Sequence, residues 1–311
     1  MVFCLRLKKH SITTNRFLLQ TGEAIKMTAE IINGKEIAEK KRLEIAEEVV
    51  RLKNLGVTPG LAVILVGNNH ASRTYVTNKE KACKELGMNS LMIEMQEEVS
   101  EEELLKKIVE LNENPDIHGI LVQLPLPKHI DEKKVIESIS PLKDVDGFHP
   151  INIGRMMTGQ NAFLPCTPYG IMVLLEETGI SIPGKHVVVV GRSNIVGKPV
   201  GQLFLNQDAT VTYCHSKTKD LPLHTNQADI LIAAVGIPNF IKAQHVKDGA
   251  VIIDVGINRN EAGKLCGDVD FAEVAEKAGY ITPVPKGVGP MTITMLMYNT
   301  VKSAAESLVR D

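Results

Sequence analysis

Short, almost wholly apolar runs recur along this chain between stretches of helical composition: LAVILVG (61–67), HGILVQL (118–124), HVVVVG (186–191), DILIAAVG (229–236) and AVIIDVGI (250–257). A strand with one wet face alternates polar and apolar residues; these runs do not, so both of their faces must be covered. Strands of that kind separated by helices pair in parallel, because a parallel neighbour needs a crossover long enough to hold a helix. The pattern restricts the chain to the α/β class.

Local signals divide the rest. Asn33 is placed to cap a helix over 37–53 that stops at Gly56, and a second helix over 71–87 ends at Gly87 before the strand NSLMIEM (89–95). Ser100 with Glu103 forms a capping box that opens a helix through Asn112. LPLP (124–127) and SPLKDVDGFHP (140–150) are breakers, and 147–165 is the expected boundary between two lobes. Thr167-Pro168 supplies an N-cap and a first-turn proline, Gly179 the stop, and a second α/β series follows with a helix opening at Gly197-Lys198-Pro199 and a strand at 209–215. From Pro290 to Val309 apolar residues recur at helical spacing (Ile293, Leu296, Thr300, Val301, Ala304, Leu308), so this tail must pack, and the first lobe is the expected surface. The fold expected is two α/β lobes, an N-terminal catalytic lobe and a C-terminal Rossmann-like lobe with a doubly wound parallel sheet. The expected division is an extension over 1–26, a first domain over 27–147 joined by the C-terminal helix 293–311, and a second domain over 148–292.

Composition narrows the partners. With 311 residues, 35 Lys+Arg against 37 Asp+Glu and no block of like sign, the chain offers no phosphate-tracking surface, so nucleic acid is not expected and a small molecule is. No apolar run is long enough to span a bilayer. Five widely spaced cysteines (Cys4, Cys83, Cys166, Cys214, Cys266), never in a C-x-x-C pair, argue against a disulfide framework and a zinc site; no metal is expected, and a reducing cytoplasm is. Residues 1–26 carry Arg6, Lys8, Lys9 and Arg16 with no acid before Glu23. They fit an organellar transit peptide or an extension upstream of Met27, and the weak amphipathic periodicity favours the latter.

GRSNIVGKP (191–199) leads from a strand into a helix, where exposed N–H groups and the positive end of the helix dipole suit a phosphate. It is not G-x-G-x-x-G, and a tight structural turn would look the same. The following strand ends Tyr213-Cys214-His215-Ser216-Lys217 without the carboxylate that holds a ribose 2′-hydroxyl, so with Arg192 and Lys217 nearby NADP is expected over NAD. Tyr75 and Lys79 share a helical face, although a lysine in NKEKACKE is usually solvated. Gln123 ends a strand, where open sheets place ligands; Asp146, in a glycine-bounded turn, is a ligand group or a turn cap.

Taken together, YVTNK (75–79), GILVQLPLP (119–127), KDVDGFHP (143–150), GRSNIVGKP (191–199) and PVPKGVGPMT (283–292) resemble the bifunctional methylenetetrahydrofolate dehydrogenase/methenyltetrahydrofolate cyclohydrolase family, in order across about 28–308. The resemblance implies a homodimer in which reduced folate and NADP meet between the lobes, the folate being oxidised and then hydrolysed. It implies Lys79 as the catalytic lysine, Tyr75 as the aromatic along the pterin, Gln123 as the residue tuning the lysine and Asp146 as the carboxylate on the pterin edge. Val122, Leu124, Pro283, Val284, Pro285 and Gly287 would line the folate site, and Gly191, Arg192, Ser193, Gly197, Ser216 and Ile257 the cofactor site. One departure stands out: Lys286 occupies the first glycine of the family's proline-glycine-glycine-valine-glycine-proline segment. The expectation is a loop conformation open to ordinary residues, with the lysine directed to solvent or to the folate tail.

The implied chemistry suits these residue types. Hydride loss from the methylene bridge yields the methenyl cation without proton transfer, whereas hydrolysis moves protons off water and onto nitrogen, which a lysine can shuttle. A bound cation beside Lys79 would favour its neutral amine. Two other readings have less support: another NADP-linked oxidoreductase leaves Asp146 and Gln123 unexplained, and a silent binding module would have no need of both Tyr75 and Lys79.

Overall fold

The structure is a computed structural model describing residues 29–309; the expectations for the 1–26 extension and for Met27 lie outside the described residues. The chain enters as β1 (Glu30–Ile31) and continues through α1 (Gly34–Asn54), β2 (Gly60–Val66), α2 (His70–Glu85), β3 (Asn89–Met95), α3 (Glu101–Glu113), β4 (Gly119–Val122), α4 (Glu132–Ser138), α5 (Pro150–Met157) and α6 (Cys166–Glu177). The second series is β5 (His186–Val190), α7 (Gly197–Leu205), β6 (Thr210–Cys214), α8 (Leu221–Thr225), β7 (Ile230–Ala233), β8 (Val251–Asp254), a hairpin of β9 (Asn258–Arg259) and β10 (Leu265–Cys266), α9 (Phe271–Ala275), β11 (Tyr280–Ile281) and α10 (Val288–Ser307).

The caps sit largely where the sequence puts them. Asn33 Oδ1 accepts from the Glu36 N–H at 3.4 Å and Ser100 Oγ from the Glu103 N–H at 3.2 Å, while Gly87 and Gly179 turn the chain at φ 71° after their helices. The exception is α6. It opens at Cys166 with Pro165 before it, and the Thr167 hydroxyl is hydrogen-bonded to that of Thr292 at 2.9 Å, so Thr167 lies inside the helix and is not its cap.

β3, β2 and β4 form a three-stranded parallel sheet, and β1-β11-β8-β7-β5-β6 a six-stranded one, parallel throughout. Period-two burial explains both. Along β2, Leu61, Val63 and Leu65 join one apolar cluster while Ala62, Ile64 and Val66 join another; along β5, Val187 and Val189 separate likewise from Val188 and Val190. The cluster shared by Leu61 and Val187 runs through α1, α6 and α10, so the two sheets lean on a common helical layer. Within α10, Leu296, Thr300, Val301 and Ala304 of the expected stripe are buried, Ile293 is partly covered and Leu308 is exposed. Met291, Met295 and Met297 fill the rest of the interface with α1, α2 and α6.

One element crosses over. β1, expected with the first lobe, is an edge strand of the six-stranded sheet, with Glu30 opposite Tyr280 and Ile31 opposite Ile281. A two-residue strand has no periodicity to read, and its placement is settled by backbone pairing with β11 and by the burial of Ala29 and Ile32 on either side of it.

Candidate active site

The first lobe gathers side chains. Lys79, on the third turn of α2, is 8% exposed, and its Nζ donates to Gln123 Oε1 at 3.0 Å just beyond β4. Gln123 Nε2 donates to the Leu124 carbonyl at 2.7 Å, which turns the amide oxygen toward the lysine. Burial pushes the Lys79 amine below the usual lysine value, against the opposing charges of Asp146 and Cys166. The solvated lysine suggested by local sequence is therefore not what the fold builds.

Asp144 and Asp146 divide the roles that sequence left open. Asp144, buried, accepts from the backbone N–H groups of Phe148 (3.1 Å) and His149 (2.8 Å) and from Asn152 Nδ2 (2.9 Å), so it organises the turn. That leaves the Asp146 carboxylate turned toward Lys79 and the Cys166 thiol; burial raises its pKa, and Lys79 opposes the rise. Cys166, 1% exposed, donates to the Val145 carbonyl at 3.2 Å, and its pKa is pushed well above the ordinary thiol value, first by burial and then by Asp146. Asn299 of α10 holds the same Val145 carbonyl (2.8 Å) and that of Leu164 (3.0 Å). Sequence reasoning missed Cys166, Asp144 and Asn299 as parts of the site. None has a spacing signal, since each is recruited by folding.

Beside the Asp144–Asp146 turn a small pocket is lined by Val122, Leu124, Val135, Asp146 and Phe148. Tyr75 lies one turn before Lys79 and is 39% exposed; the positive charge of Arg259 on β9 acts on its phenol, so the hairpin of the second lobe reaches toward α2. Pro283, Val284, Pro285 and Gly287 lie between β11 and α10, where the Lys286 carbonyl accepts from the Lys35 N–H at 3.0 Å. The expectation of an ordinary loop conformation is overturned here. Lys286 has φ 85°, a region that favours glycine, and its exposed side chain escapes the packing that fixes its backbone.

The second lobe gathers backbone. In the six-stranded sheet the chain moves from β5 outward to β6 and then returns to β7 on the other side of β5, so a crevice opens between the β5 and β7 loops. Gly191 turns there at φ 130°, and a Cβ on it would lie 2.1 Å from the Ala234 carbonyl oxygen, so only glycine allows this approach. The Gly191 N–H donates to Cys214 O at 2.9 Å, which ties the turn carrying Arg192 to the end of β6 before Ser216. Arg192, Ser193, Ser216 and Ile257 are exposed, whereas Gly197 is packed beneath, its Cβ position 2.5 Å from the Gly191 oxygen. One expectation changes. Ser193 Oγ accepts from the N–H groups of Val196 and Gly197 (3.2 Å each) and its carbonyl accepts from Lys198 (3.0 Å), so these donors at the start of α7 are already used. The Ser193 hydroxyl, accepting twice, keeps its proton for an incoming anion. A glycine cradle, an exposed guanidinium and no carboxylate at the end of β6 fit a dinucleotide with a 2′-phosphate.

Comparison with known proteins joins the two halves. Residues 32–146 match the catalytic domain, and 165–308 the NAD(P)-binding domain, of tetrahydrofolate dehydrogenase/cyclohydrolase. The chain belongs to that family. The bifunctional protein FolD of Bacillus cytotoxicus is 66% identical over 278 residues, covering 89% of this chain and 97% of that relative. The crystal structure of FolD from Campylobacter jejuni is 52% identical with TM-score 0.89, covering 90% of this chain and 99% of that one. The enzyme from Trypanosoma brucei, solved with NADP and an inhibitor, is 39% identical with TM-score 0.86, covering 90% and 98%. The family's two activities are methylenetetrahydrofolate dehydrogenase and methenyltetrahydrofolate cyclohydrolase. Among the described residues no helix is long and apolar enough to cross a membrane, and no group of three or more His, Cys, Asp or Glu could hold a metal ion.

Proposed function

We propose that this chain carries out both reactions of its family in the cleft lined by Tyr75, Lys79, Gln123 and Asp146. The chain oxidises 5,10-methylenetetrahydrofolate to 5,10-methenyltetrahydrofolate with NADP and hydrolyses the product to 10-formyltetrahydrofolate. The observation carrying the residue assignment is the buried Lys79 amine, 3.0 Å from Gln123 Oε1 and facing Asp146.

Asp146 accepts two hydrogen bonds from the amino group and ring N–H of the pterin, and Tyr75 lies along the ring. Val122, Leu124 and the segment Pro283, Val284, Pro285 and Gly287 complete the folate site. Arg192, Ser193 and Ser216 hold the phosphates of NADP above Gly191 and Gly197, and Ile257 underlies the remainder. When bound, NADP supplies the hydride acceptor. The chain's own part in oxidation is alignment, because no proton leaves. In hydrolysis the neutral Lys79 amine, one N–H held by Gln123, directs its lone pair at the water that adds to the methenyl carbon. It takes the water's proton and returns one to the departing ring nitrogen. The cation bound beside it and its own burial both favour the neutral amine.

The reading also takes the folate lobe as 27–147 with the C-terminal helix 293–311, less β1, which pairs into the other lobe's sheet, the NADP lobe as 148–292, and the active species as a cytoplasmic homodimer. Unpaired Cys83, Cys166 and Cys214, all buried, fit a reducing compartment; light scattering on the purified chain checks the dimer. Calorimetry tests the folate assignment. Asp146→Ala should weaken folate by about 1.5–3 kcal/mol, the range for hydrogen bonds to a charged group, with NADP affinity preserved. Unchanged folate affinity would reduce Asp146 to a bystander of the Asp144 turn.

A further inference from the structure

Two buried carboxylates lie where β7 and β8 end, Asp254 as the last residue of β8 and Asp268 on the turn after β10, and neither reaction above uses them. Asp268, 0% exposed, accepts from the N–H groups of Val235 (2.6 Å), Gly236 (2.9 Å) and Ile237 (3.0 Å) and from Asn258 Nδ2 (2.8 Å). Asp254, 3% exposed, accepts from the N–H groups of Gly256 (3.0 Å), Asp268 (2.9 Å) and Val269 (3.0 Å), and its own N–H donates to Thr282 Oγ1 at 2.8 Å. The two acids thus lock together the loops 235–237 and 256–258, the turn 267–269 and the start of the segment leading to α10. The packing leaves no slack: a Cβ on Gly256 would lie 2.3 Å from Asp268 Oδ1, and one on Gly267 1.8 Å from Asp254 Oδ2.

Burying two neighbouring carboxylates is expensive unless their lone pairs are filled, and here seven donors fill them. What they hold still is the floor of the crevice. Ile237 and Ile257 stand on the braced loops, each about half exposed. The phosphate end of the cofactor belongs at Arg192 and Ser216, beyond β5 and β6, so its other end runs the opposite way, over the loops after β7 and β8. Those loops lead into the hairpin whose Arg259 charge acts on the Tyr75 phenol. We propose that Asp254 and Asp268 are positioning residues for hydride transfer, holding loops 235–237 and 256–258 as a rigid support that sets the height and tilt of the nicotinamide against the folate. The proposal rests on the cofactor placement given above. The two fail separately, since a misplaced cofactor would leave the NADP preference of Arg192→Ala intact, whatever the acids do.

Asp268→Asn keeps the size of the side chain but turns an amide NH₂ toward backbone donors. Its dehydrogenase kcat at saturating NADP should fall by up to about 10²-fold, the effect of misplacing reacting groups by an ångström. The primary deuterium isotope effect with a deuterated methylene bridge should rise as hydride transfer becomes limiting. Cyclohydrolase activity on methenyltetrahydrofolate without NADP should be unchanged. Asp254→Asn should give the same split. Equal loss of both activities, or full dehydrogenase turnover with an unaltered isotope effect, would overturn the proposal. If the aspartate variants do not fold, Asn258→Ala, which removes one donor and leaves the acids in place, should show the same split at smaller amplitude; unaffected hydride transfer in that variant overturns it equally.

Discussion

The two lobes build their halves of the cleft by opposite means. In the first, the proposed site rests on side chains withdrawn from water: Lys79 is 8% and Cys166 1% exposed, and burial lowers the amine and raises the acids around it. In the second it rests on backbone shape, with exposed Arg192 and Ile257 beside glycines whose neighbours lie too close for a Cβ, and Ser216 exposed on the turn after β6. A proton shuttle needs a tuned pKa, and desolvation is the strongest tuner available. A phosphate site instead needs donors at fixed positions facing water, where the ligand arrives with its charge hydrated. The difference teaches which substitutions each lobe tolerates: those that keep shape but change chemistry fail in the first, and those that add a Cβ to the turns fail in the second.

Lys79→Met is the hardest test of the comparison. A positioned acid–base group contributes about 10²–10⁴-fold, so hydrolysis should fall by that much while oxidation falls less and methenyltetrahydrofolate accumulates. Assays of both half-reactions on a variant with unchanged circular dichroism decide it; full hydrolysis would show that the buried amine is not the shuttle. In the second lobe, Arg192→Ala should lower the kcat/KM preference for NADP over NAD by roughly 10- to 100-fold, as expected for a lost charge-assisted hydrogen bond. Cyclohydrolase activity should not follow it, and a variant that loses both cofactors alike would break the division between lobes.

Two smaller effects sharpen it. Because burial depresses the Lys79 pKa and Asp146 opposes that shift, the neutral amine becomes more populated as pH rises, with an inflection in cyclohydrolase kcat below the usual lysine value. Asp146→Asn removes the carboxylate that favours the ammonium, so the inflection should move to lower pH; a shift to higher pH would mean that Asp146 does not act on the lysine. Lys286→Gly should be the mildest. Relieving a side chain held at φ 85° should stabilise the fold by roughly 1 kcal/mol after glycine's greater freedom in the unfolded chain is set against it, seen as a higher melting temperature with turnover unchanged. A lower melting temperature would show that the lysine side chain supports the loop.

How much of this was legible beforehand follows from what a sequence pattern reports. Uninterrupted apolar runs determined that β2, β4, β5, β7 and β8 would be strands covered on both faces, and Asn33, Ser100 and Gly179 marked helix ends, because capping acts within a few residues. The ordered motifs named Tyr75, Lys79, Gln123, Asp146, Arg192 and Ser216 together, and the fold brings Lys79, Gln123 and Asp146 side by side and ties the turns of the last two. Periodicity says that a face is covered, never by what, so the pairing of β1 with β11, the arrival of Cys166 and Asn299 behind Asp146, and the division of work between Asp144 and Asp146 were decided by contacts between distant segments. The use of α7's N–H groups by Ser193 and the positive φ of Lys286 belong with these, since a turn's conformation is set by what its ends are anchored to. The residues proposed for the chemistry were written in the chain; the lowered pKa of Lys79 arises only after β4, α2, α6 and the 143–150 turn have closed around the amine and excluded water.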